Sequence, residues 1–229
     1  MPIEPVTTRR LIAFLTRTFH SYRYMVSSRQ MTIVSEQPQD GRQQRSQRTH
    51  AAVARAMIDC IRDGTLRPSA KQVALRAGVS TRAVFRHFEN MEALLLEATH
   101  IHLDAIAPLV PPIETSGNLD SRIRSFARHW TTFFEHSEEI WRSTILALPF
   151  SQLLQGFQIW QRAVIAEQLQ SSFAPEFKAM KPTTRNRREQ NLRALISDNY
   201  WAELRDHQKL SVAESKRSIE EALQSLLTS

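Results

Sequence analysis

A cationic stretch, STRAVFRHF at residues 80–88, carries side chains suited to reading DNA. Arg82 and Arg86 lie four positions apart and would share one face of a helix. An arginine can donate two parallel hydrogen bonds to guanine O6 and N7, and the methyl group of Thr81 can contact the methyl group of thymine. We therefore predict that residues 81–87 form a DNA-reading helix, in which Arg82 contacts a base and Arg86 contacts a base or a phosphate.

The reading helix needs a corner in front of it, and Gly78 is suited to form one. Ser69 is a good N-cap, and Gln72 completes the capping-box pattern, so a short helix starts at residue 70. Gly78 adopts positive φ at little cost and so ends that helix, and Ser80 then caps the next one. Two short helices joined by such a turn form a helix-turn-helix.

Apolar spacing predicts two further helices around this pair. Val53 to Ile61 repeats apolar residues at intervals of three and four, which predicts a helix from about Thr49. Asn90 caps a fourth helix, which is expected to run to about residue 107 because prolines follow. Residues 35–48 are polar and are predicted to form a flexible arm.

The charge of the chain lies in the part that contains this motif. Residues 1–100 carry 15 lysines and arginines against 8 acidic residues, whereas residues 101–229 carry 15 of each. A basic segment joined to a neutral one indicates that the first meets a polyanion. The single cysteine, Cys60, excludes an internal disulfide and a metal-binding cysteine cluster, which fits a reducing cytoplasm. The sequence contains no apolar run of the roughly 20 residues that span a bilayer.

The chain divides into three predicted segments. Residues 1–41 are expected to be a disordered tail, with Met31 as an alternative start. Residues 42–98 form the helix-turn-helix domain, and residues 99–229 form a second helical domain. Helices in the second domain are predicted near 119–136, 138–147, 150–172, 183–206 and 211–227, between prolines and polar breaks. The predicted fold class is all-α.

The segment from Thr49 to Ala98 resembles the DNA-binding domain of TetR-type transcriptional regulators. The resemblance rests on the AGVS turn (77–80), the FRHF run (85–88) and the Asn90 cap that follows. It implies contacts to bases or backbone from Ser69, Ser80, Thr81, Arg82 and His87. Phe85 occupies a further contact position of the family, and Arg86 is added to the predicted DNA-binding residues because it lies on the same helix. Of these, Ser69 and His87 are expected to contact phosphate.

Two positions depart from the pattern of the family. Phe85 stands where a tyrosine hydroxyl usually contacts phosphate, and Met91 stands where a lysine is usual. The loss of a cation lowers the salt dependence of DNA binding. We expect Arg48, together with Arg42 and Arg45, to compensate by reaching phosphate or the minor groove.

The resemblance also implies a homodimer and a small-molecule pocket in the second domain. The predicted dimer interface consists of Leu192, Leu195, Tyr200, Leu204, Leu223 and Leu226. The predicted pocket is lined by Trp130, Phe134, Trp141, Phe157 and Trp160, which suggests an apolar or aromatic effector of unidentified structure. No cofactor is implied.

The function implied is that of a repressor, bound to a palindromic DNA site and released by a small ligand. A DNA-binding protein without ligand control and a transcriptional activator remain as alternatives, since the same reading helix would serve either. A helical enzyme is a remote alternative, because the sequence shows no nucleophile–base set, metal triad or phosphate-binding loop.

Overall fold

The computed structural model describes residues 41–228, and the regular structure in this range is entirely helical, which confirms the all-α prediction. By their contacts the described residues form two compact units, 41–105 and 106–228. The predicted domain boundary at 98/99 falls inside a helix. The predictions for the tail at residues 1–40, including the alternative start at Met31, lie outside the described range.

The first unit contains the four helices expected from the sequence. They are α1 (Gly41–Arg62), α2 (Ala70–Ala77), α3 (Thr81–His87) and α4 (Met91–Ile106).

Helix α1 is longer than predicted. The flexible arm expected up to residue 48 is wrong for residues 41–48, because these residues form the first two turns of α1. The sequence from Arg42 to Arg62 contains no proline and no glycine. The hydroxyl of Thr49 donates a hydrogen bond to the carbonyl of Arg45 at 3.0 Å. A threonine bonded in this way is compatible with a helix interior.

The core of the first unit is built from one apolar stripe of each helix. Val53 of α1, Val73 of α2, Val84 of α3 and Leu94 of α4 are all fully buried. Ala74 of α2 is 3% exposed, and α2 packs against α1. Helices α2 and α3 therefore each turn one face inward, and the opposite face of α3 is left for solvent.

The second unit contains the remaining helices. They are α5 (Leu119–Ala147), α6 (Gln152–Ser172), α7 (Ala174–Ala179), α8 (Pro182–Leu195), α9 (Asp198–Ala202) and α10 (Val212–Thr228). A 3₁₀ turn at Leu148–Phe150 joins α5 to α6, and α9 continues as a single π turn at Glu203–His207.

Three predicted features of this unit are wrong. The helices expected at 119–136 and 138–147 are the single helix α5, because Ser137 bonds back to the carbonyl of Phe133 at 2.7 Å and no breaker intervenes. The helix expected at 183–206 is broken, because Ser197 accepts from the amide of Tyr200 and so caps a new helix. The prediction contains no helix at α7, although Pro175 lies in the first turn of this helix, where proline is well tolerated.

A large apolar cluster joins the helices of the second unit. Phe126 and Phe134 of α5, Leu169 of α6 and Leu192 of α8 are each 2% exposed or less within it. Beside the cluster, the buried guanidinium of Arg122 makes a two-pronged ion pair with Glu176 and donates to the carbonyl of Ser172 at 2.6 Å.

None of the helices between residues 41 and 228 is both long and apolar enough to cross a membrane.

Candidate nucleic-acid interface and ligand cleft

The corner between α2 and α3 has the geometry expected from Gly78. Its φ and ψ are 66° and 32°, in the left-handed region that favours glycine. The amide of Gly78 donates to the carbonyl of Leu75 at 3.2 Å, and the amide of Val79 donates to the carbonyl of Ala74 at 3.0 Å. These bonds satisfy the last carbonyls of α2 and fix the direction in which α3 leaves the turn.

Helix α3 presents one face to the core and the other to solvent. Ser80 caps it by accepting the amide of Ala83 at 3.2 Å. Ala83 and Val84 are buried, and Phe88 behind them is 5% exposed. The exposed face consists of four of the predicted contact residues: Thr81, Arg82, Phe85 and Arg86.

This exposed face combines charge with apolar surface. Phe85 is 48% exposed, which is unusual for a phenylalanine in a small domain that buries most of its apolar side chains. The two arginines flank it in sequence, and both are exposed. The face can therefore offer guanidinium donors to bases and an aromatic edge to thymine methyl groups.

His87 stands apart from this face. Its ring packs edge-on against His50 of α1 at 6.1 Å, and its Nε2 atom is buried without a hydrogen-bond partner. Burial lowers the pKa of His87, and the nearby Arg86 and His50 lower it further. The ring of His87 is thus held against α1, and its predicted phosphate contact remains a prediction.

The remaining predicted contact residues lie on α1 and at the start of α2. Arg48 is exposed on the second turn of α1. Ser69 is exposed, but its hydroxyl donates to the side-chain oxygen of Gln72 at 2.8 Å and accepts the amide of Gln72 at 3.3 Å. A phosphate contact from the Ser69 hydroxyl would replace the first of these bonds, and it remains a prediction.

Sequence reasoning missed two contacts that hold this unit together. His50 stacks on Phe88 with ring centroids 4.4 Å apart, which ties α1 to the end of α3. Arg76 of α2 forms an ion pair with Asp63, just after α1. No local pattern reveals either pair, because the partners are 38 and 13 positions apart.

The comparisons with known proteins agree with this geometry. Residues 61–98, from the end of α1 into α4, match the family model for bacterial regulatory proteins of the tetR family. A transcriptional regulator from Rhodococcus sp. Rha1 shares the fold with a TM-score of 0.60 at 15% identity, over 80% of this chain and 95% of that one. A candidate transcriptional regulator from Pseudomonas aeruginosa PAO1 shares the fold with a TM-score of 0.58 at 16% identity, over 79% of this chain and 90% of that one. No curated protein matches the chain significantly.

A helix-turn-helix with an exposed cationic second helix defines a class of DNA-binding proteins. The family match covers the motif, and the structural likeness extends the shared fold over most of the chain. Residues 61–98 are thus similar to the DNA-binding segment of bacterial regulatory proteins of the tetR family, and the chain as a whole shares its fold with two proteins described as transcriptional regulators.

The second unit does not place the predicted interface residues on its surface. Leu192, Leu195, Leu204 and Leu223 are 7% exposed or less and pack into the core of their own subunit. They cannot also contact a second copy, so the assignment of these four residues is wrong. Tyr200 and Leu226 are half-buried against the same core, and their role in an interface remains a prediction.

The second unit also contains a cleft of about 760 Å³, bordered by α5, α6, α8 and α9. This volume lies within the range of small-molecule sites. Of the five aromatic residues predicted for the pocket, Trp141 lines the cleft. Trp130, Phe134 and Phe157 are buried in the packed interior, and Trp160 is half-buried with its ring 5.6 Å from that of Phe157. These four residues do not line this cleft, and their place in an effector pocket remains a prediction.

The cleft is more polar than the sequence suggested. Its lining includes Gln161 of α6 and Asp198 of α9, each 8% exposed, and the Gln161 amide donates to Asp198 Oδ2 at 3.4 Å. Burial raises the pKa of the Asp198 carboxyl to about 7, although its own backbone amide and Gln161 act in the opposite direction. A buried acid with a raised pKa in a concave site is typical of functional sites.

Proposed function

We propose that this chain is a homodimeric repressor, bound to a palindromic DNA site and released from it by a small molecule. The observation that carries the proposal is the exposed face of α3. It joins Arg82, Arg86, Thr81 and Phe85 directly after a left-handed corner at Gly78. A helix held in this way can enter the major groove with its N-terminal residues toward the bases.

The DNA contacts proposed for the first unit follow from side-chain chemistry. Arg82, on the first turn of α3, donates two hydrogen bonds to a guanine, and Thr81 contacts a thymine methyl group. Arg86, one turn later, contacts a base or a phosphate. Ser80 contacts the backbone, and Arg48 on α1 supplies a further phosphate contact.

Dimerisation is proposed because one reading helix covers few base pairs. Two copies related by a two-fold axis would read two half-sites one helical turn apart. The interface must lie among exposed or half-buried side chains, since four of the leucines first assigned to it belong to the core. Sedimentation equilibrium of the protein with and without a DNA duplex tests this, and a monomer on the duplex would refute it.

Release by an effector requires only a difference in affinity. A ligand that binds the DNA-competent conformer less tightly than another conformer shifts the population away from DNA. The cleft of the second unit is the proposed effector site, because its volume suits a drug-sized molecule. We propose that the protein binds and releases DNA in the cytoplasm, and that release involves no enzymatic step.

Two other functions share the same reading helix. A DNA-binding protein without ligand control would bind DNA in the same way, and an activator would differ in the position of its site relative to a promoter. A thermal-shift screen combined with DNA binding separates the first from a sensor. We expect a ligand that stabilises the protein and also releases its DNA.

The proposal is tested by selecting bound duplexes from a random library. We expect enrichment of a two-fold symmetric site, with a fixed guanine in each half. Enrichment of no sequence at all would refute specific regulation.

A further inference from the structure

The cleft of the second unit holds a buried carboxyl group with little to compensate its charge. Asp198 is 8% exposed, and the hydrogen bond that its side chain receives from Gln161 is long, at 3.4 Å. Both residues line the cleft, so a molecule that enters it can reach them. A buried carboxylate is costly in free energy unless a cation or several donors accompany it.

The remaining lining is suited to an aromatic or aliphatic body. Trp141 and Tyr200 contribute aromatic rings to the lining, and Ala163, Ala166 and Ala194 contribute small apolar side chains. Aromatic faces also attract cations, most strongly where water is excluded. The cleft thus combines a buried acid with ring surfaces.

The geometry points to the cleft as the site of an organic cation: a primary or secondary amine with an apolar body, whose ammonium group pairs with the carboxylate of Asp198. This inference deepens the proposed function, because it names the chemical class of the effector. It also revises the apolar effector expected from the sequence, since a purely apolar molecule would bring no positive charge to the buried carboxylate.

An anionic ligand is the principal competing occupant, since Arg162 and Arg193 also line the cleft. Both arginines are exposed, and Arg193 lies 3.7 Å from the carboxylate of Glu189. Exposed charges are screened by water and salt, whereas a buried charge is screened much less. The buried acid should therefore decide which ligand charge is preferred.

Three probes of nearly equal size separate these occupants. Phenethylamine carries a positive charge, 2-phenylethanol is neutral and 3-phenylpropionate is negative. We expect isothermal titration calorimetry at about pH 8 to show binding of the amine at least tenfold tighter than that of the other two. Equal binding of the alcohol, tighter binding of the anion, or no heat from the amine up to about 10 mM would each overturn the inference.

Asp198→Asn tests the role of the carboxylate directly. The change keeps the shape of the side chain and removes its charge, so amine affinity should fall about tenfold or more while the weak binding of the alcohol stays the same. Glu167→Gln, an exposed acid of α6 outside the cleft, is the matched control and should keep full amine affinity. Unchanged amine affinity in Asp198→Asn would overturn the inference.

The pH dependence of the unaltered protein supplies a second test that needs no variant. The affinity for phenethylamine should fall about tenfold or more between about pH 8 and pH 5.5, because Asp198 takes up a proton while the alkylammonium group stays charged. The other ionisable groups of the lining are Arg162, Arg193, Tyr200 and Glu203. A flat profile would contradict pairing with Asp198.

Fluorescence anisotropy of the selected operator separates this inference from the proposed function. Amine binding that depends on Asp198 but leaves the operator bound supports the cation site and refutes ligand release. Release of the operator by a compound that binds equally well to Asp198→Asn supports the proposed function and refutes the cation site.

Discussion

Replacing Gly78 by alanine tests the corner on which the reading helix depends. Gly78 has a φ of 66°, and a Cβ atom added there would meet no other atom within 4 Å. The cost of the change is therefore the backbone conformation alone. An L-residue pays about 1–2 kcal/mol in the left-handed region, and alanine regains about 0.4–1 kcal/mol by restricting the unfolded chain. We expect a net loss of about 1 kcal/mol.

Two further variants make the expected loss specific. Gly78→Asn should cost less than Gly78→Ala, because asparagine tolerates the left-handed region. Gly41→Ala is the matched control, since its added Cβ also meets nothing and its φ is ordinary. We expect its effect to stay within about 0.5 kcal/mol of zero.

The assay must report on the first unit. The four tryptophans lie at positions 130, 141, 160 and 201, all in the second unit, so their fluorescence is unsuitable. Hydrogen exchange of the amides in residues 70–88, with urea unfolding followed by far-UV circular dichroism, reports on the corner itself. A Gly78→Ala protein as stable as the unaltered one would refute the left-handed corner.

Three more predictions follow from contacts in the two units. Arg48→Ala should lower the slope of DNA affinity against salt concentration by nearly one without relaxing sequence preference, as fluorescence anisotropy over a salt series would show. Arg122→Met should cost about 3–5 kcal/mol in urea unfolding, because it leaves Glu176 without its partner, and adding Glu176→Gln should recover part of this. Burial lowers the pKa of His129 from 6.5 to about 4, so folding favours the neutral imidazole. The free energy of unfolding should therefore be highest above pH 6.5 and should fall by up to about 3 kcal/mol as the pH drops toward 4. His129→Asn, which can still donate to the carbonyl of Pro111, should remove that part of the pH dependence in thermal unfolding curves.

The helices of the first unit could largely be predicted from the sequence, because the signals that begin and end them are local. Ser69 with Gln72, Gly78 and Ser80 each act within three or four positions, and each was found in the role that its chemistry favours. The predicted start of α1 is wrong because the polar composition of residues 41–48 was taken to indicate a flexible segment. Polar residues such as Gln43 and Arg45 are good helix formers when no breaker intervenes.

The second unit was less predictable because its features depend on contacts distant in sequence. An apolar stripe shows that a helix has a buried face but not what covers that face, so Leu192 and Leu223 were assigned to a partner and lie in their own core. The pair of Gln161 and Asp198 spans 37 positions. No periodicity reveals such a pair before the helices are placed.

The central claim is that α3 reads bases through Arg82, and base preference in Arg82 variants tests it most directly. We would select operators with the unaltered protein, Arg82→Ala, Arg82→Lys and the exposed control Arg217→Ala. Both Arg82 variants should lose their preference for one guanine per half-site and about 1–3 kcal/mol of binding free energy. Lysine is included because it keeps the charge of arginine but not the two-pronged geometry. Arg217→Ala should change neither the base preference nor the affinity. An unchanged base preference in both Arg82 variants would contradict the central claim.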